Sequence, residues 1–225
     1  MDNDVLRQAP LFSALDDEAA TALRNSMAET RLRRGDVLFH EGDSGDKLYI
    51  VAEGKVKLGR SAADGRENLL AIMGPGQMFG ELSLFDPGPR SATVTAVTDA
   101  TFASLSHEDL LRWLDGRPIV ARGLLSQLAS RLRKSNDVVA DLVFSDVPGR
   151  VAKALLDLAD RFGRTADDGV HVHHDLTQEE LAQLVGASRE TVNKALADFA
   201  SRGWLRLEPR SVVIMDVERL SKRAR

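Results

Sequence analysis

The spacing of apolar residues along the chain changes twice, and each change indicates a different kind of structure. In the first thirty residues, Ala19, Leu23 and Met27 recur at helical spacing. Between Gly35 and Ser106, short alternating apolar runs are separated by recurring glycines. The runs cover residues 37–40, 48–51, 55–58, 69–72, 92–95 and 101–104. Many short strands with turn residues between them predict an antiparallel β-roll of the jelly-roll type.

A long helix is predicted to follow from Pro118, with no glycine between Gly123 and Gly149. Along one face of this helix, a row of mostly apolar residues recurs at alternating intervals of three and four, the spacing of a coiled-coil seam. The seam consists of Leu125, Leu128, Leu132, Ser135, Val139 and Leu142. A seam of this length is best buried against a symmetric copy of itself, so the pattern predicts a homodimer. Packing against its own domain is the alternative.

Two adjacent polar residues, Ser135 and Asn136, interrupt this seam. They either set the register of the two helices or contact a ligand at the dimer axis. The segment Asp146-Val-Pro-Gly149 is predicted to end the helix, and an amphipathic helix follows up to Phe162. These changes predict an α+β chain in three parts: a β-roll domain over 1–116, a long dimerisation helix over 117–145 and a C-terminal domain over 146–225.

The strongest local pattern in the C-terminal part is that of a helix-turn-helix over 176–196. Thr177 and Glu180 form a capping box that starts the first helix. Gly186 supplies the left-handed residue of the tight turn, and Ser188 caps the second helix. Small Ala182 suits the helix crossing, and apolar Val192 points to the core.

The second helix carries residue types that read bases in the major groove. They are Arg189, Glu190, Asn193 and Lys194. Runs 203–207 and 212–215 then predict a β-hairpin, which makes the motif a winged variant. Two solvated helices with ordinary surface charge are the alternative interpretation.

The loop between residues 79 and 92 contains groups suited to a sugar phosphate. Gly80 allows close approach of the backbone, and the Glu81 carboxylate can accept from a sugar hydroxyl. Arg90 offers a fork that matches a phosphate, and Ser91 adds a hydroxyl donor. Taken alone, a Glu and an Arg in one loop also fit a structural ion pair; the polar break in the seam favours a ligand.

Charge and composition narrow the class of protein further. Residues 1–145 carry 17 Lys and Arg against 21 Asp and Glu, whereas residues 146–225 carry 13 of each. DNA affinity depends on a local basic face, so the net charge of -4 is compatible with a DNA-binding end and an acidic end that repels DNA. The low aromatic content, 5%, argues against a single-stranded nucleic-acid binder.

The chain has no cysteine, which excludes disulfides and Cys-ligated metal or iron–sulfur sites and fits the cytoplasm. No apolar run approaches the ~20 residues of a membrane span, and the acidic start does not resemble a signal peptide. We therefore expect a cytoplasmic protein without a membrane partner. The histidines at 171, 173 and 174 lack a convincing fourth ligand, so a structural or surface role is expected and no metal.

Two other functions deserve comparison with a ligand-controlled DNA binder. Glu81, Ser83 and Arg90 suggest phosphodiester hydrolysis, but neither a metal-ligand cluster nor a His or Cys nucleophile accompanies them in the sequence. Such a site binds and does not cut, so we expect no enzyme activity. The second alternative is an architectural DNA-binding protein whose pocket is vestigial.

The whole chain resembles the cyclic AMP receptor protein family, the catabolite-activator branch of the CRP/FNR transcription regulators. The resemblance is carried by 79–82 with 89–92, by 146–150 and by 186–192. It implies a cyclic nucleotide-binding β-roll, a dimerisation helix and a winged helix-turn-helix domain. It also implies a homodimer that binds double-stranded DNA and contacts RNA polymerase, with cyclic AMP as effector and no metal.

The resemblance also assigns roles to residues. Glu81 would bind the ribose 2′-hydroxyl, Arg90 and Ser91 the cyclic phosphate, and Ser135 with the partner subunit's Asn136 the adenine edge. The residues expected at the nucleotide are Gly80, Glu81, Leu82, Ser83, Arg90, Ser91, Ser135 and Asn136. The residues expected at DNA are Thr177, Gln178, Ser188, Arg189, Glu190, Asn193 and Lys194.

The implied DNA site is a palindrome with half-sites similar to TGTGA, read by Arg189, Glu190 and Lys194. The sequence departs from the family pattern at two places. Ser135-Asn136 stands where Thr-Ser is typical, and Lys194 stands where the founding member has Arg. Lysine is a point donor without the guanidinium fork, so looser discrimination is expected at that base.

Overall fold

A computed structural model describes residues 3–9, 11–12, 15–62, 65, 67–86, 88–115 and 117–224. Its contacts divide the chain into two compact units. The first unit comprises Met1–Arg60 and Leu70–Lys134, and the second comprises Ser61–Leu69 and Ser135–Arg225. The predicted domain boundaries at 116 and 145 stay a prediction.

The N-terminal half of the chain contains four short helices and eight strands within the described ranges. The helices are α1 (Asn3–Arg7), α2 (Asp17–Ser26), α3 (Leu82–Phe85) and α4 (His107–Leu114). The strands are β1 (Ala28–Leu32), β2 (Val37–Phe39), β3 (Lys47–Glu53), β4 (Val56–Ser61), β5 (Glu67–Met73), β6 (Met78–Phe79), β7 (Thr93–Ala96) and β8 (Ala100–Ser106). The six predicted runs all fall on strands, and the predicted N-terminal helix ends one residue before Met27.

The strands form two antiparallel four-stranded sheets, which confirms the β-roll. Their orders are β1-β8-β3-β6 and β2-β7-β4-β5. A buried cluster that includes Val51, Phe79 and Phe102 fills part of the interior of the roll. A second cluster packs the first sheet against the flanking helices through Leu48, Leu105 and other buried side chains. The two packed sheets are therefore the scaffold that holds the loop between β6 and β7.

The predicted long helix is α5 (Pro118–Phe144), and its first half packs on the roll through buried Val120 and Leu124. It ends where the Asp146-Val-Pro-Gly149 pattern predicted. Asp146 caps the following helix, α6 (Val147–Phe162), by accepting from Gly149 N at 2.9 Å. Pro148 stands in the first turn of α6, where its missing N–H costs nothing.

The second unit contains the predicted helix-turn-helix and wing. Helix α7 (Gln178–Val185) and helix α8 (Arg189–Ser201) pack on α6, and the last helix is α9 (Val217–Arg223). The strands are β9 (Gly163–Ala166), β10 (Gly169–Val172), β11 (Leu205–Glu208) and β12 (Ser211–Ile214). They form one antiparallel sheet in the order β11-β12-β10-β9, in which β11 and β12 make the predicted hairpin. The winged helix-turn-helix is thus confirmed.

In the described ranges, no helix is both long enough and apolar enough to span a bilayer.

Candidate functional site

The loop that follows β6 places two opposite charges inside the first unit. Glu81 is fully buried and Arg90 is only 5% exposed. Charged side chains are almost never buried this far unless they are paired, because removing them from water is costly. The two predicted ligand residues therefore lie in a site built for charge.

Arg90 is held in place by backbone carbonyls and an aromatic ring. Its Nη1 donates to Gly80 O and its Nη2 donates to Lys47 O, both at 2.9 Å. The guanidinium carbon lies 4.3 Å from the centroid of the Phe39 ring, within the range of a cation–π contact. Burial lowers the pKa of Arg90, while nearby Tyr49 and acidic groups raise it, and an arginine remains charged under such conditions.

Because Gly80 has no side chain, the Arg90 guanidinium can lie directly against its backbone. Its φ of +81° belongs to the left-handed region, which favours glycine. A Cβ at this position would lie 2.8 Å from Arg90 Nη1 and 3.1 Å from Lys47 O. A side chain at residue 80 would therefore displace the guanidinium.

Glu81 is paired with a residue that the sequence analysis missed. Arg131 of α5 donates to Glu81 Oε1 at 2.5 Å and also donates to Met78 O. The other carboxylate oxygen, Glu81 Oε2, is buried and has no hydrogen-bond partner among the described residues. A buried unsatisfied acceptor costs about 1–3 kcal/mol. The site therefore has one place where a ligand hydroxyl would improve the hydrogen bonding, and the residues fit a ribose.

The remaining predicted nucleotide residues are more exposed. Leu82 is about half exposed, and Ser91 is exposed in the bend after Arg90. The side chain of Ser83 lies outside the described residues. Ser135 and Asn136 are exposed residues of α5 that group with the second unit. Their role at the nucleotide stays a prediction.

The helix-turn-helix is fixed by the caps that its sequence predicts. Thr177 Oγ1 accepts from Glu180 N at 3.1 Å, and Glu180 Oε2 accepts from Thr177 N at 2.8 Å. Gly186 has φ +69° and ends α7, while Ser188 Oγ accepts from Thr191 N at 3.2 Å. The two helices are thus joined by a turn with little freedom.

The outer face of α8 carries most of the predicted base-reading residues. Arg189, Glu190 and Lys194 are exposed. Lys194 Nζ and Glu190 Oε1 form an ion pair at 2.6 Å. Asn193 differs, because it is half-buried and donates to Gln178 Oε1 at 3.1 Å.

Arg150 of α6 connects the end of α5 to the turn of the helix-turn-helix. It donates to Ser145 O at 2.8 Å, to Val185 O at 3.1 Å and to Gly186 O at 3.3 Å. Lys153 of the same helix pairs with Asp141 of α5 at 2.6 Å. Within the second unit, Arg150 thus links the end of α5 by hydrogen bonds to the turn that precedes α8.

The histidines at residues 171, 173 and 174 lie in different surroundings: His171 and His174 make hydrogen bonds within the fold, and His173 is exposed. His171 bonds Asp168 at 2.6 Å, and His174 is buried and accepts from Leu176 N. Among the described residues, no group of His, Asp and Glu is arranged to hold a metal ion.

The Asp168 network gives a prediction for the pH dependence of stability. Hydrogen bonds from His171 and then Arg206 lower the pKa of Asp168 from 3.8 to about 2. A carboxyl whose pKa is depressed by folding stabilises the fold above its unfolded pKa. We therefore expect this contribution to be present above about pH 4 and to disappear as the pH falls towards 2.

An NMR titration of the Asp168 carboxyl measures this directly. We expect a midpoint near 2 in the natural sequence and a higher one in His171→Ala and in Arg206→Ala. Asp157, which pairs with Arg161 elsewhere, serves as the internal control. A wild-type midpoint at 3.8 would contradict the network.

Together the fold and the two sites define a class of protein: a β-roll with a charged internal site, joined through a long helix to a winged helix-turn-helix. The cyclic nucleotide-binding domain family matches residues 29–117, and the Crp-like helix-turn-helix domain family matches residues 149–223. The chain is 55% identical to the CRP-like cAMP-activated global transcriptional regulator of Mycobacterium tuberculosis, over 99% of this chain and 100% of that protein.

Solved structures give the same assignment. The Thermus thermophilus catabolite activator protein is 38% identical with a TM-score of 0.56, covering 96% of this chain and 98% of that one. The c-di-GMP responsive global regulator CLP of Xanthomonas campestris is 26% identical with a TM-score of 0.76, covering 88% and 99%. The chain belongs to the cyclic AMP receptor protein family of transcription regulators.

Proposed function

We propose that this chain is a cyclic AMP-responsive, dimeric transcription regulator that binds a palindromic TGTGA-like site on double-stranded DNA. The observation that carries the proposal is the burial of two opposite charges, Glu81 and Arg90, with one Glu81 oxygen that no described residue supplies with a hydrogen-bond donor. Cyclic AMP offers a hydroxyl for Glu81 and a phosphate for Arg90. The name of the Mycobacterium tuberculosis relative supports this choice of nucleotide.

The site is suited to binding and not to cleavage. Glu81 is engaged by Arg131, and Arg90 is fixed by two carbonyls and an aromatic ring. These contacts orient a phosphodiester without supplying a nucleophile or a group that protonates a leaving oxygen. We therefore assign the chain no enzymatic role.

The apolar seam of α5 supports a homodimer. Leu125, Leu132, Val139 and Leu142 are each more than half exposed in the single chain. A row of large exposed apolar side chains along one helix face is costly in water and is typical of an interface. In the dimer, we expect the two copies of α8 to enter successive major grooves about 34 Å apart.

Coupling between nucleotide and DNA follows from differential binding. The nucleotide raises DNA affinity only to the extent that it prefers the DNA-competent state. Ser135 and Asn136 are the proposed purine contacts on α5, about two turns before the helix ends. From there, the Arg150 contacts lead to the turn before α8.

Fluorescence anisotropy with a TGTGA-N6-TCACA duplex tests the proposal. The duplex and a scrambled version are titrated at fixed salt with no nucleotide, with cyclic AMP, with cyclic GMP and with c-di-GMP. We expect specific binding that tightens only with cyclic AMP. Equal specific binding in all four conditions would favour a regulator whose DNA affinity is independent of nucleotides. If cyclic GMP or c-di-GMP tightens binding instead, that nucleotide and not cyclic AMP is the effector.

The proposed partners also include RNA polymerase, which the family resemblance implies, and the proposed location is the cytoplasm. Co-sedimentation of the DNA-bound dimer with purified RNA polymerase tests the contact.

Arg189 is expected to supply base specificity. It is exposed at the start of α8, and a guanidinium donates in bidentate fashion to guanine O6 and N7. Arg189→Ala should cost about 1–3 kcal/mol on the specific duplex and little on the scrambled one. Anisotropy titrations on both duplexes measure this, and an equal loss on both would mean that Arg189 holds only a phosphate.

A further inference from the structure

Asn193 stands at the centre of the surface of α8 that is proposed to face DNA. It lies four residues after Arg189 and directly before Lys194, so helical spacing places it between two proposed base readers. Its residue type suits adenine, whose N6 and N7 match a carboxamide. Spacing alone therefore predicts that Asn193 reads a base.

The side-chain contacts of Asn193 indicate a different role. Its Nδ2 donates to Gln178 Oε1 at 3.1 Å, across from α8 to the first residue of α7. Its Oδ1 is buried, although the neighbouring Arg189 and Lys194 are exposed. While this amide bridge is intact, the buried Asn193 oxygen is not available to a base edge, and one of the two N–H donors of its nitrogen is engaged.

The bridge fixes the direction of the Gln178 amide. Because Gln178 Oε1 accepts from Asn193, the other end of the same planar group, the Nε2 with its two N–H donors, points away from α8. Gln178 is exposed at the position where the first helix of a helix-turn-helix crosses the DNA backbone. A backbone phosphate accepts the hydrogen bonds that Nε2 offers.

We propose that Asn193 is a positioning residue that acts on DNA through Gln178, and that Gln178 Nε2 donates to a backbone phosphate. This inference rests on the proposed DNA-binding function and corrects the role of one residue within it. It makes Arg189, Glu190 and Lys194 the base readers of α8 and removes Asn193 from their number. The bridge also ties α7 to α8 on the side that faces DNA.

A double-variant cycle on DNA binding tests the proposal. Asn193→Ala, Gln178→Ala and the double variant are titrated with the specific and scrambled duplexes in the presence of cyclic AMP. A lost hydrogen bond to a charged phosphate corresponds to a weakening of DNA affinity of about ten- to a hundredfold. We expect Gln178→Ala to weaken DNA affinity by this factor equally on both duplexes. Asn193→Ala should weaken DNA affinity by a smaller factor. In the Gln178→Ala background, Asn193→Ala should then have no further effect.

Gln183→Ala, which shortens the same kind of side chain at the other end of α7, is the matched control and should bind like wild type. Preferential loss on the specific duplex in Asn193→Ala would show base reading and overturn the proposal. Independent, multiplying effects of the two substitutions would do the same, as would wild-type binding in Gln178→Ala.

The bridge itself is measured without DNA. In the natural sequence, the side-chain NH2 resonance of Asn193 should move on Gln178→Ala and stay unchanged on Gln183→Ala. A resonance that does not move shows that the bridge is absent and overturns the proposal. Failure of the wild-type protein to distinguish the two duplexes would instead contradict the proposed function, so the two failures are separable.

Discussion

Arg90→Leu should abolish the response of DNA binding to cyclic AMP. The guanidinium is the one positive group that the β6–β7 loop directs into the site, and leucine offers a phosphate no donor. Two charge-assisted hydrogen bonds at about 1.5–3 kcal/mol each correspond to a loss of at least about a hundredfold in nucleotide affinity. Isothermal titration with cyclic AMP measures the affinity, and anisotropy measures the DNA response.

The controls separate ligand binding from folding. Arg90 also donates to Gly80 O and Lys47 O, so its removal should lower the thermal stability of the first unit as well. Arg90→Lys keeps the charge but loses the fork, and we expect an intermediate affinity. Arg117→Leu removes an exposed arginine that stacks on Trp113 outside the site and should leave nucleotide affinity unchanged. Wild-type affinity in a folded Arg90→Leu protein would contradict the assignment.

Leu132→Asp should convert the proposed dimer into a monomer and remove specific DNA binding. Leu132 is 65% exposed in the single chain, at the middle of the seam of α5. In a symmetric dimer, two aspartates would meet at the axis, where neither finds a partner and both lose water. Because binding two half-sites with one linked molecule raises affinity by about 10²–10⁴, DNA affinity should fall by a similar factor.

Sedimentation equilibrium and anisotropy together measure this result. Leu111→Asp makes the same change on α4, where the leucine is about half exposed and lies outside the seam. It should leave both the mass of the assembly and the DNA affinity unchanged. A Leu132→Asp protein that still sediments as a dimer would place the interface elsewhere.

Features that depend on neighbouring residues were predictable from the sequence. The capping box of Thr177 and Glu180 spans three residues, and the Gly186 turn is a single left-handed position. Both were found because the chemistry that forms them lies within one helical turn. The six alternating runs of the β-roll were found for the same reason, since a half-buried strand shows its period directly.

Features that depend on distant contacts were not predictable. Strand β1 was missed because it lies at a sheet edge and none of its five residues is buried, so its sequence contains no apolar run. Arg131 was missed because its partner Glu81 is fifty positions away and on another element. The contact of Asn193 with the side chain of Gln178 was missed because Gln178 comes from a different helix.

The ion pair of Glu190 and Lys194 should affect how strongly the protein discriminates against mismatched DNA sites. In the free protein the two opposite charges form an ion pair and cancel each other. This part of α8 should therefore attract random DNA less strongly than two positive charges would. Docking on a base pair that offers a partner to one group only leaves the other without water and without a partner, at a cost of about 1–3 kcal/mol. If Glu190 and Lys194 read bases as proposed, the surface would select its site largely by rejection: mismatched sequences would be penalised more than the matched sequence is rewarded.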